Sequence, residues 1–283
     1  MTLSTKNCLI TGANSGLGFA VSRKLARLGA HTILVCRNQE RGAQAIQAIR
    51  KETPEAAVEL MICDLASLAS VQRFIQDCQE KITHLDLLFN NAAVMKRKRT
   101  VTADGFEMMF QVNYLAPFML MQAFLGLLKD GSAPEIINNG RPEADVRVNF
   151  NDLQFAQKYQ MYNSFFVTKL YLLLASLELS QREESTGITV TQADPGPFKS
   201  RLVRDIALVS WVKNLFSAPV KEAADNILYV AALDEAQKKT GRVFNKREVV
   251  PLAPYWQDAE VRERLWSITE TMLPAIREPM PTL

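Results

Sequence analysis

Short apolar segments alternate with longer amphipathic segments through the first half of the chain. Four short apolar runs, each bounded by turn residues or charges, predict strands at Asn7–Ile10, Thr32–Cys36, Val58–Ile62 and Leu85–Phe89. Three segments between them carry apolar residues at spacings of three and four, as amphipathic helices do: Gly16–Leu28, Gln39–Thr53 and Ser67–Ile82. This alternation of strands and helices predicts a parallel sheet that is covered by helices on both faces.

The second half of the chain continues the same pattern. It predicts long apolar helices over residues 103–128 and 160–183, and strands at Glu135–Asn138, Ile188–Gln192 and Arg242–Asn245. The resulting seven strands suffice for a doubly wound parallel sheet, in which ligands bind outside the carboxyl ends of the strands. No linker rich in Pro, Gly or Ser divides the chain, so we expect one α/β domain over residues 1–283.

A glycine-rich segment joins the first predicted strand to the first predicted helix. It reads Thr11-Gly12-Ala13-Asn14-Ser15-Gly16-Leu17-Gly18. Glycine at such a turn lets the backbone approach a pyrophosphate, whose charge is met by free N–H groups at the helix N-terminus. The segment therefore predicts a Rossmann fold with a dinucleotide site. The residues expected to form it are Gly12, Asn14, Ser15, Gly16, Leu17 and Gly18.

The end of the second predicted strand indicates which dinucleotide is bound. Sites for NAD usually carry an acidic residue there, which binds the ribose 2′-hydroxyl and would repel a 2′-phosphate. No acidic residue occurs from Gly12 to Gln39, and the strand is followed by Arg37, with Arg41 one helical turn beyond. Two guanidinium groups suit a phosphate. We therefore expect NADP(H) as the cofactor, the alternative being two surface arginines at the start of a helix.

Net charge, the length of apolar stretches and the spacing of cysteines indicate which kinds of partner and location to expect. The net charge of +3 over 283 residues does not indicate a nucleic-acid partner. No apolar stretch approaches the roughly 20 residues that span a bilayer, and the first residues do not resemble a signal peptide, so we expect a cytoplasmic protein. The four cysteines form no CxxC pair and no metal-ligand spacing, and we expect them to be buried apolar side chains.

A basic run, Lys96-Arg97-Lys98-Arg99, follows the fourth predicted strand. Such a run occurs in nuclear-import and nucleic-acid-binding patches. Its place in a loop near the expected cofactor site favours a solvated loop, and contact with an acidic substrate is a further alternative.

Taken together, the motifs resemble those of short-chain dehydrogenases/reductases, closest to the branch that holds retinol dehydrogenases, WW-domain oxidoreductase and protochlorophyllide reductase. The resemblance rests on Thr11–Gly18, Val35–Asn38, Cys63–Leu68, Asn90–Val94, Thr102–Glu107, Val112–Leu115, Asp194–Gly196, Thr240–Phe244 and Arg264–Trp266. It implies a small-molecule substrate. It also implies a homodimer, because the helices that match the apolar stretches Phe118–Leu128 and Leu170–Leu177 pair across a two-fold axis in this family; the alternative is ordinary packing on the sheet.

The resemblance also implies roles for single positions. Asp64 and Leu65 would lie against the adenine, and Asn91 and Ala92 would pass under the cofactor ribose. Three further positions would border the nicotinamide: Pro195, Gly196 and Ser200. Family members usually share a catalytic Asn–Ser–Tyr–Lys tetrad, in which the tyrosine passes a proton to the substrate and the lysine lowers the tyrosine pKa and binds ribose. Asn113 matches the asparagine of that tetrad, and Lys169 matches its lysine.

The tetrad's other two members are missing from the sequence. Phe165 stands four residues before Lys169, where the motif YxxxK has its tyrosine, and a phenyl ring has no proton to give. No serine or threonine occurs between Ser132 and Ser164, the region that would supply the serine. The usual mechanism is therefore not available, and a missing general acid costs about 10²–10⁴ in rate. Candidate replacements are Tyr162, one helical turn before Phe165, and the pair Asn139 and Arg141.

Three functions remain open. The first is an NADP(H)-dependent oxidoreductase that uses replacement groups on a carbonyl, an alcohol or an activated alkene. The second is a non-redox enzyme on the same scaffold, which the intact cofactor motifs argue against. The third is a catalytically silent NADP(H)-binding sensor or scaffold. The presence of Asn113 and Lys169 favours the first function.

Overall fold

The computed structural model describes residue 3 and residues 6–198, 219–233 and 240–273. Within these residues, eight strands form one sheet in the order β3-β2-β1-β4-β5-β6-β7-β8. Their bounds are β1 Asn7–Thr11, β2 His31–Cys36, β3 Val58–Ile62, β4 Leu87–Asn90, β5 Glu135–Asn139, β6 Thr189–Asp194, β7 Arg242–Asn245 and β8 Glu248–Val250. Strands β1 to β7 pair in parallel, and the strand order reverses between β1 and β4, which is the arrangement of a doubly wound sheet.

Helices connect the strands. Six described α-helices and one π-helical turn precede β5: α1 Gly16–Arg27, α2 Gln39–Glu52, α3 Leu68–Lys81, α4 Met108–Phe110, the π turn Gln111–Leu115, α5 Ala116–Ala123 and α6 Leu125–Lys129. The later helices are α7 Met161–Arg182, a 3₁₀ turn Glu184–Thr186, α8 Val220–Ala231, α9 Pro254–Gln257 and α10 Ala259–Met272. Buried apolar residues form one cluster on each face of the sheet. The predicted single α/β domain of Rossmann type is confirmed.

The predicted number of seven strands is wrong, because the sheet contains an eighth. Strand β8 pairs antiparallel with β7 through a tight hairpin, in which Lys246 has a φ of 58°. It has only three residues, and two of them are exposed, so no buried apolar run marks it in the sequence. The predicted all-parallel sheet therefore ends in one antiparallel edge strand.

The prediction of a helix over residues 103–128 is also wrong, because this segment begins later and contains a π turn. Residues Val101 and Glu107 form an isolated antiparallel bridge, and the helix starts only at Met108, where the Glu107 carboxylate accepts a hydrogen bond from the Phe110 N–H at 2.8 Å. The helix then widens into the π turn. Such π turns occur often at functional sites, and this one contains Asn113.

The two apolar stretches expected at a dimer interface are mostly buried within the chain itself. Helix α10 packs along α7, and the Trp266 ring lies 4.7 Å from the Phe118 ring, measured between centroids. Packing inside one chain thus accounts for their apolar character, and the homodimer stays a prediction that light scattering tests. The four cysteines are buried and free, as expected. Among the described residues, no helix is both long enough and apolar enough to cross a membrane.

Candidate functional site

The glycine-rich segment forms the turn between β1 and α1. Hydrogen bonds from the N–H groups of Gly12 and Ala13 to the Val35 carbonyl, at 2.8 and 3.3 Å, fix it against β2. Ser15 stands at the N-cap of α1, yet its side chain caps no backbone N–H, and the first turn holds no acidic residue. The first N–H groups of a helix have no partner within the helix. The start of α1 is therefore left open to an external anion.

The glycines of this turn show why larger residues are absent. A Cβ on Gly18 would lie 2.5 Å from both the Gly12 oxygen and Asn91 Nδ2, so the helix packs directly on the loop. Gly16 has a φ of +56°, and a Cβ there would meet nothing within 4 Å. The backbone at Gly16 therefore faces open space at the start of α1. This geometry fits the close approach of a pyrophosphate, and the site accommodates a dinucleotide.

Two arginines stand beside this helix start. Arg37 follows β2 and Arg41 lies in the first turn of α2, where the Asn38 side chain accepts the Arg41 N–H at 2.8 Å. Both side chains are exposed, and neither guanidinium forms a hydrogen bond or ion pair with another described residue. A cleft of about 540 Å³ has Asn14, Ser15 and Arg41 among its lining residues. Arg41 therefore lines the cleft at the start of α1, and Arg37 follows the neighbouring strand β2.

The positions expected at the adenine follow β3. Asp64 is half-buried, and its Oδ1 accepts the Ala66 N–H at 3.0 Å. The Asp64 N–H donates to Ser70 Oγ at 3.0 Å, which fixes the turn into α3. Leu65 is buried against the apolar core. The second carboxylate oxygen of Asp64 has no hydrogen-bond partner among the described residues, so it remains free for a ligand.

Asn91 connects the glycine turn to the middle of the sheet. Its Nδ2 donates to the Thr11 carbonyl at 2.8 Å, and its Oδ1 accepts from Asn139 Nδ2 at 3.3 Å. The backbone N–H groups of Asn91 and Ala92 both donate to Thr11 Oγ1 at 3.0 Å. The carboxyl ends of β1, β4 and β5 are thereby held together as one surface.

Asn113 lies in the π turn and is fully buried. Its Oδ1 accepts the Val94 N–H at 2.8 Å, and its Nδ2 donates to the Val94 carbonyl at 2.9 Å. The same Nδ2 donates to Thr168 Oγ1 at 3.2 Å. Asn113 therefore ties the loop after β4 to helix α7, one residue before Lys169.

Lys169 is 4% exposed, and its Nζ donates to the Asn139 carbonyl at 2.8 Å. Burial lowers the pKa of its amine from 10.5 to about 8, against the opposing effect of the negative charge on Asp194. The Phe165 ring lies 5.7 Å from Nζ, measured to the ring centroid. The structure thus places a phenyl ring beside the amine, at the position that the resemblance assigns to a tyrosine.

The ends of β5 and β6 complete this part of the site. Gly140 has a φ of +94°, and a Cβ there would come within 3.3 Å of Lys169 Cε. Arg141 Nε lies 3.6 Å from Asp194 Oδ2, and Asp194 Oδ1 accepts the Gly196 N–H at 2.9 Å. The Pro195 carbonyl accepts a hydrogen bond from Asn226 Nδ2 at 3.1 Å. Ser200, expected beside the nicotinamide, lies outside the described residues.

Comparisons with known proteins agree with this arrangement. A family model described as short chain dehydrogenase matches residues 6–208. The chain belongs to the short-chain dehydrogenase family. It is 37% identical over 291 residues to human (Homo sapiens) retinol dehydrogenase 14, and this match covers 95% of the chain and 86% of the relative. The resemblance to the retinol dehydrogenase branch is confirmed.

Solved structures share the fold of this short-chain dehydrogenase. An uncharacterised protein from Mycobacterium paratuberculosis is 26% identical with a TM-score of 0.78, and the match covers 99% of this chain and 97% of that one. A metagenomic short-chain oxidoreductase, solved in complex with NADP, is 20% identical with a TM-score of 0.66; the match covers 87% of this chain and 99% of that one. The sheet and its helices are therefore those of the family.

In this short-chain dehydrogenase, the candidate replacement Tyr162 and the nearby Tyr159 lie in different surroundings. Tyr162 is exposed on the first turn of α7. Tyr159 Oη donates to the Lys96 carbonyl at 2.5 Å, and burial raises its pKa to about 12. Of the basic run, Lys96 is half-buried, Arg97 to Arg99 are exposed, and Arg99 Nε donates to the Gln154 carbonyl at 3.1 Å. Tyr159 thus fixes the start of the basic loop and is poorly suited to give a proton.

Two residues near Lys169 were missed by sequence reasoning. Thr168 receives the Asn113 hydrogen bond, and Asp194 pairs with Arg141. The signal for Thr168 is its place directly before the matched lysine. The signal for Asp194 is an acidic residue at the carboxyl end of β6, the sheet edge where all other candidate residues gather.

Proposed function

We propose that this short-chain dehydrogenase binds NADP(H) and acts as an atypical oxidoreductase on a carbonyl, an alcohol or an activated alkene. The choice of NADP(H) rests on one observation. Arg37 and Arg41 are exposed, have no acidic partner among the described residues, and lie near the uncapped N-terminus of α1. No acidic residue of this turn or of β2 would repel a 2′-phosphate. Arginine binds phosphate oxygens through paired N–H groups. The metagenomic relative of the same fold, solved with NADP, supports the same choice.

NADPH, when bound, supplies a hydride. The chain's own residues then have to hold the nucleotide and the substrate. In the proposed complex, the backbone N–H groups that open α1 would bind the pyrophosphate, and the Lys169 amine, which donates to the Asn139 carbonyl, would also bind the ribose. Phe165 excludes water from the side of the pocket next to Lys169, because its ring has no polar group.

The missing phenol determines which substrates fit this proposal. Reduction of a simple ketone needs an acid that protonates the oxygen as the hydride arrives. A conjugated alkene takes its hydride at one carbon, and its proton can be added afterwards from solvent. We therefore place activated alkenes ahead of simple carbonyls as substrates for a site that has Phe165 in place of tyrosine.

A specific observation favours a second candidate, a catalytically silent NADP(H)-binding protein. Asn113 is engaged with the backbone of Val94, and Lys169 with the backbone of Asn139. Both residues therefore have structural roles that do not require catalysis. The two candidates share the cofactor site and differ only in turnover.

Titration of the purified protein with NADPH, followed by nucleotide fluorescence, tests the cofactor site. We expect saturable binding, with NADH binding at least tenfold more weakly. NADPH absorbance is then followed against a panel of aldehydes, ketones and enones. Consumption with enones supports the oxidoreductase, whereas tight binding without consumption by any compound supports the silent binder. No change in NADPH fluorescence at high micromolar concentration overturns both.

A further inference from the structure

Arg141 and Asp194 stand side by side at the carboxyl ends of β5 and β6. The strands pair in register at Asn139 and Ala193, and the Gly140 N–H donates to the Ala193 carbonyl at 2.8 Å. This pairing brings together two charged side chains that are far apart in the sequence. The Nε of Arg141 lies 3.6 Å from the nearer carboxylate oxygen, Asp194 Oδ2, which is an ion pair without a hydrogen bond.

The N–H groups of the Arg141 guanidinium have no hydrogen-bond acceptor among the described residues. The side chain is 26% exposed, its Nε is buried without a hydrogen-bond acceptor, and no described residue accepts a hydrogen bond from its other nitrogens. Leaving a buried charged donor unpaired is unfavourable. Asp194 cannot turn fully toward it, because Asp194 Oδ1 already accepts the Gly196 N–H. The other guanidinium nitrogens of this partly exposed side chain therefore remain available to a further oxyanion.

The surroundings favour an anion with an apolar neighbour. Lys169 and Arg141 are two cations near the ends of β5 and β6, and both interact with the Asp194 carboxylate. The flat Phe165 ring lies beside Lys169, with 5.7 Å between Nζ and the ring centroid. The planar fork of an arginine matches a carboxylate in a paired geometry. An aromatic or unsaturated group attached to that carboxylate would pack on the phenyl ring.

We infer that Arg141 binds the carboxylate of the substrate and that the substrate is an aromatic or α,β-unsaturated acid. This inference rests on the proposed function, since it names the substrate class of the same site. It also gives a reason for the missing serine: the chain holds the substrate by its carboxylate, at the strand end where the family holds a carbonyl oxygen.

The test uses trans-cinnamate as the probe and its neutral amide, cinnamamide, as the matched control. Binding is measured by saturation-transfer NMR, on the free protein and on the protein saturated with NADPH. We expect cinnamate to bind at least tenfold more tightly than cinnamamide. Arg141→Gln should remove that preference. Asp194→Asn, which keeps an acceptor for the Gly196 N–H and removes the competing charge, should strengthen cinnamate binding.

The outcomes separate this inference from the proposed function. If NADPH binds and cinnamate shows no advantage over the amide in either form, the carboxylate site is overturned and the cofactor site stands. If cinnamate binding depends on Arg141 while NADPH does not bind, the proposed function fails and the carboxylate site stands. If Arg141→Gln weakens NADPH as much as cinnamate, Arg141 serves the cofactor, and the inference is overturned. Circular dichroism of each variant shows whether the fold is retained.

Discussion

The amine of Lys169 donates a hydrogen bond to the backbone oxygen of Asn139 at 2.8 Å. Asn139 in turn donates from its side chain to Asn91, which donates to the Thr11 carbonyl at the glycine turn. A line of hydrogen bonds thus runs from the amine to the expected phosphate site. Lys169 is almost fully buried, so its charge has lost most of its contact with water. Its protonation state should therefore depend on whether the protein is folded.

We predict that Lys169→Met changes the pH dependence of stability. The amine has a pKa of about 8 in the folded protein and 10.5 as its ordinary value, so the unfolded chain binds more protons between these two pH values. The stability of the natural protein should therefore rise from pH 8 to 10.5 relative to the variant. At pH 7 the variant should be more stable than the natural protein, because it no longer buries a charged amine. Loss of the hydrogen bond to the Asn139 carbonyl makes this gain in stability smaller.

Urea unfolding at pH 7, 8.5 and 10, without cofactor, measures this difference. Each pH unit between the two pKa values corresponds to about 1.4 kcal/mol. Lys51→Met is the control, because Lys51 is exposed on α2, and its effect should not vary in this way. A constant stability difference between Lys169→Met and the natural protein across the three pH values would show that burial does not perturb this amine.

We predict that Arg37→Ala weakens NADPH binding by about 10- to 100-fold, because a hydrogen-bonded contact to a charged group contributes about 1.5–3 kcal/mol. NADH binding should stay nearly unchanged, since NADH carries no 2′-phosphate. Fluorescence titration with both nucleotides measures the two affinities. The control is Arg27→Ala, an exposed arginine in the last turn of α1, at the opposite end from the glycine turn. An equal loss for NADPH and NADH would place Arg37 away from the 2′-phosphate.

Sequence reasoning predicted the elements that have a strong period or a long apolar run. Val58–Ile62 and Arg242–Asn245 were predicted with their observed bounds. The π turn around Asn113 was not foreseen, because helical periodicity does not distinguish a local widening of the helix. Strand β8 was missed because it is short and exposed, and its pairing depends on the β7 hairpin.

In the candidate site, too, sequence reasoning failed to predict contacts between residues that lie far apart in the chain. The glycine turn and the two arginines follow from local motifs, since adjacent residues along the chain build them. The pairing of Arg141 with Asp194 depends on the register of β5 against β6, and a single sequence does not contain that register. The roles of Asp64, Leu65, Pro195, Gly196 and Ser200 toward the cofactor stay predictions.

We predict that Gly18→Ala disrupts the glycine turn. The added Cβ would lie 2.5 Å from the Gly12 oxygen, which is backbone and has little freedom to move. We expect a loss of stability of about 1–3 kcal/mol from overpacking, together with loss of NADPH binding. Gly126→Ala is the matched control on α6, where an added Cβ meets nothing within 4 Å. It should stabilise the protein by roughly 0.5–1 kcal/mol. Thermal unfolding and NADPH titration distinguish the two, and a Gly18→Ala protein that binds NADPH normally would contradict the tight helix–loop contact.

The final prediction concerns the missing phenol. Phe165→Tyr places a hydroxyl on the ring beside Lys169, and a nearby cation lowers the pKa of a phenol. A serine is best restored at Arg141, because Gly140 has a positive φ, and a side chain there would press on Lys169. The double variant Phe165→Tyr/Arg141→Ser should therefore reduce neutral aldehydes about 10²–10⁴ times faster than the natural protein.

The control for this gain is Phe166→Tyr/Arg141→Ser. The neighbouring ring carries the same hydroxyl but points elsewhere, since successive helix residues are rotated by about 100°. NADPH consumption with an aldehyde panel measures both variants. A gain confined to the Phe165 variant would show that the scaffold still holds the cofactor and substrate in a productive geometry, and that a proton donor at residue 165 restores turnover once the serine is present. Equal rates in the two variants would instead mean that no substrate carbonyl reaches the ring of residue 165, and the silent NADP(H)-binding function would then be favoured.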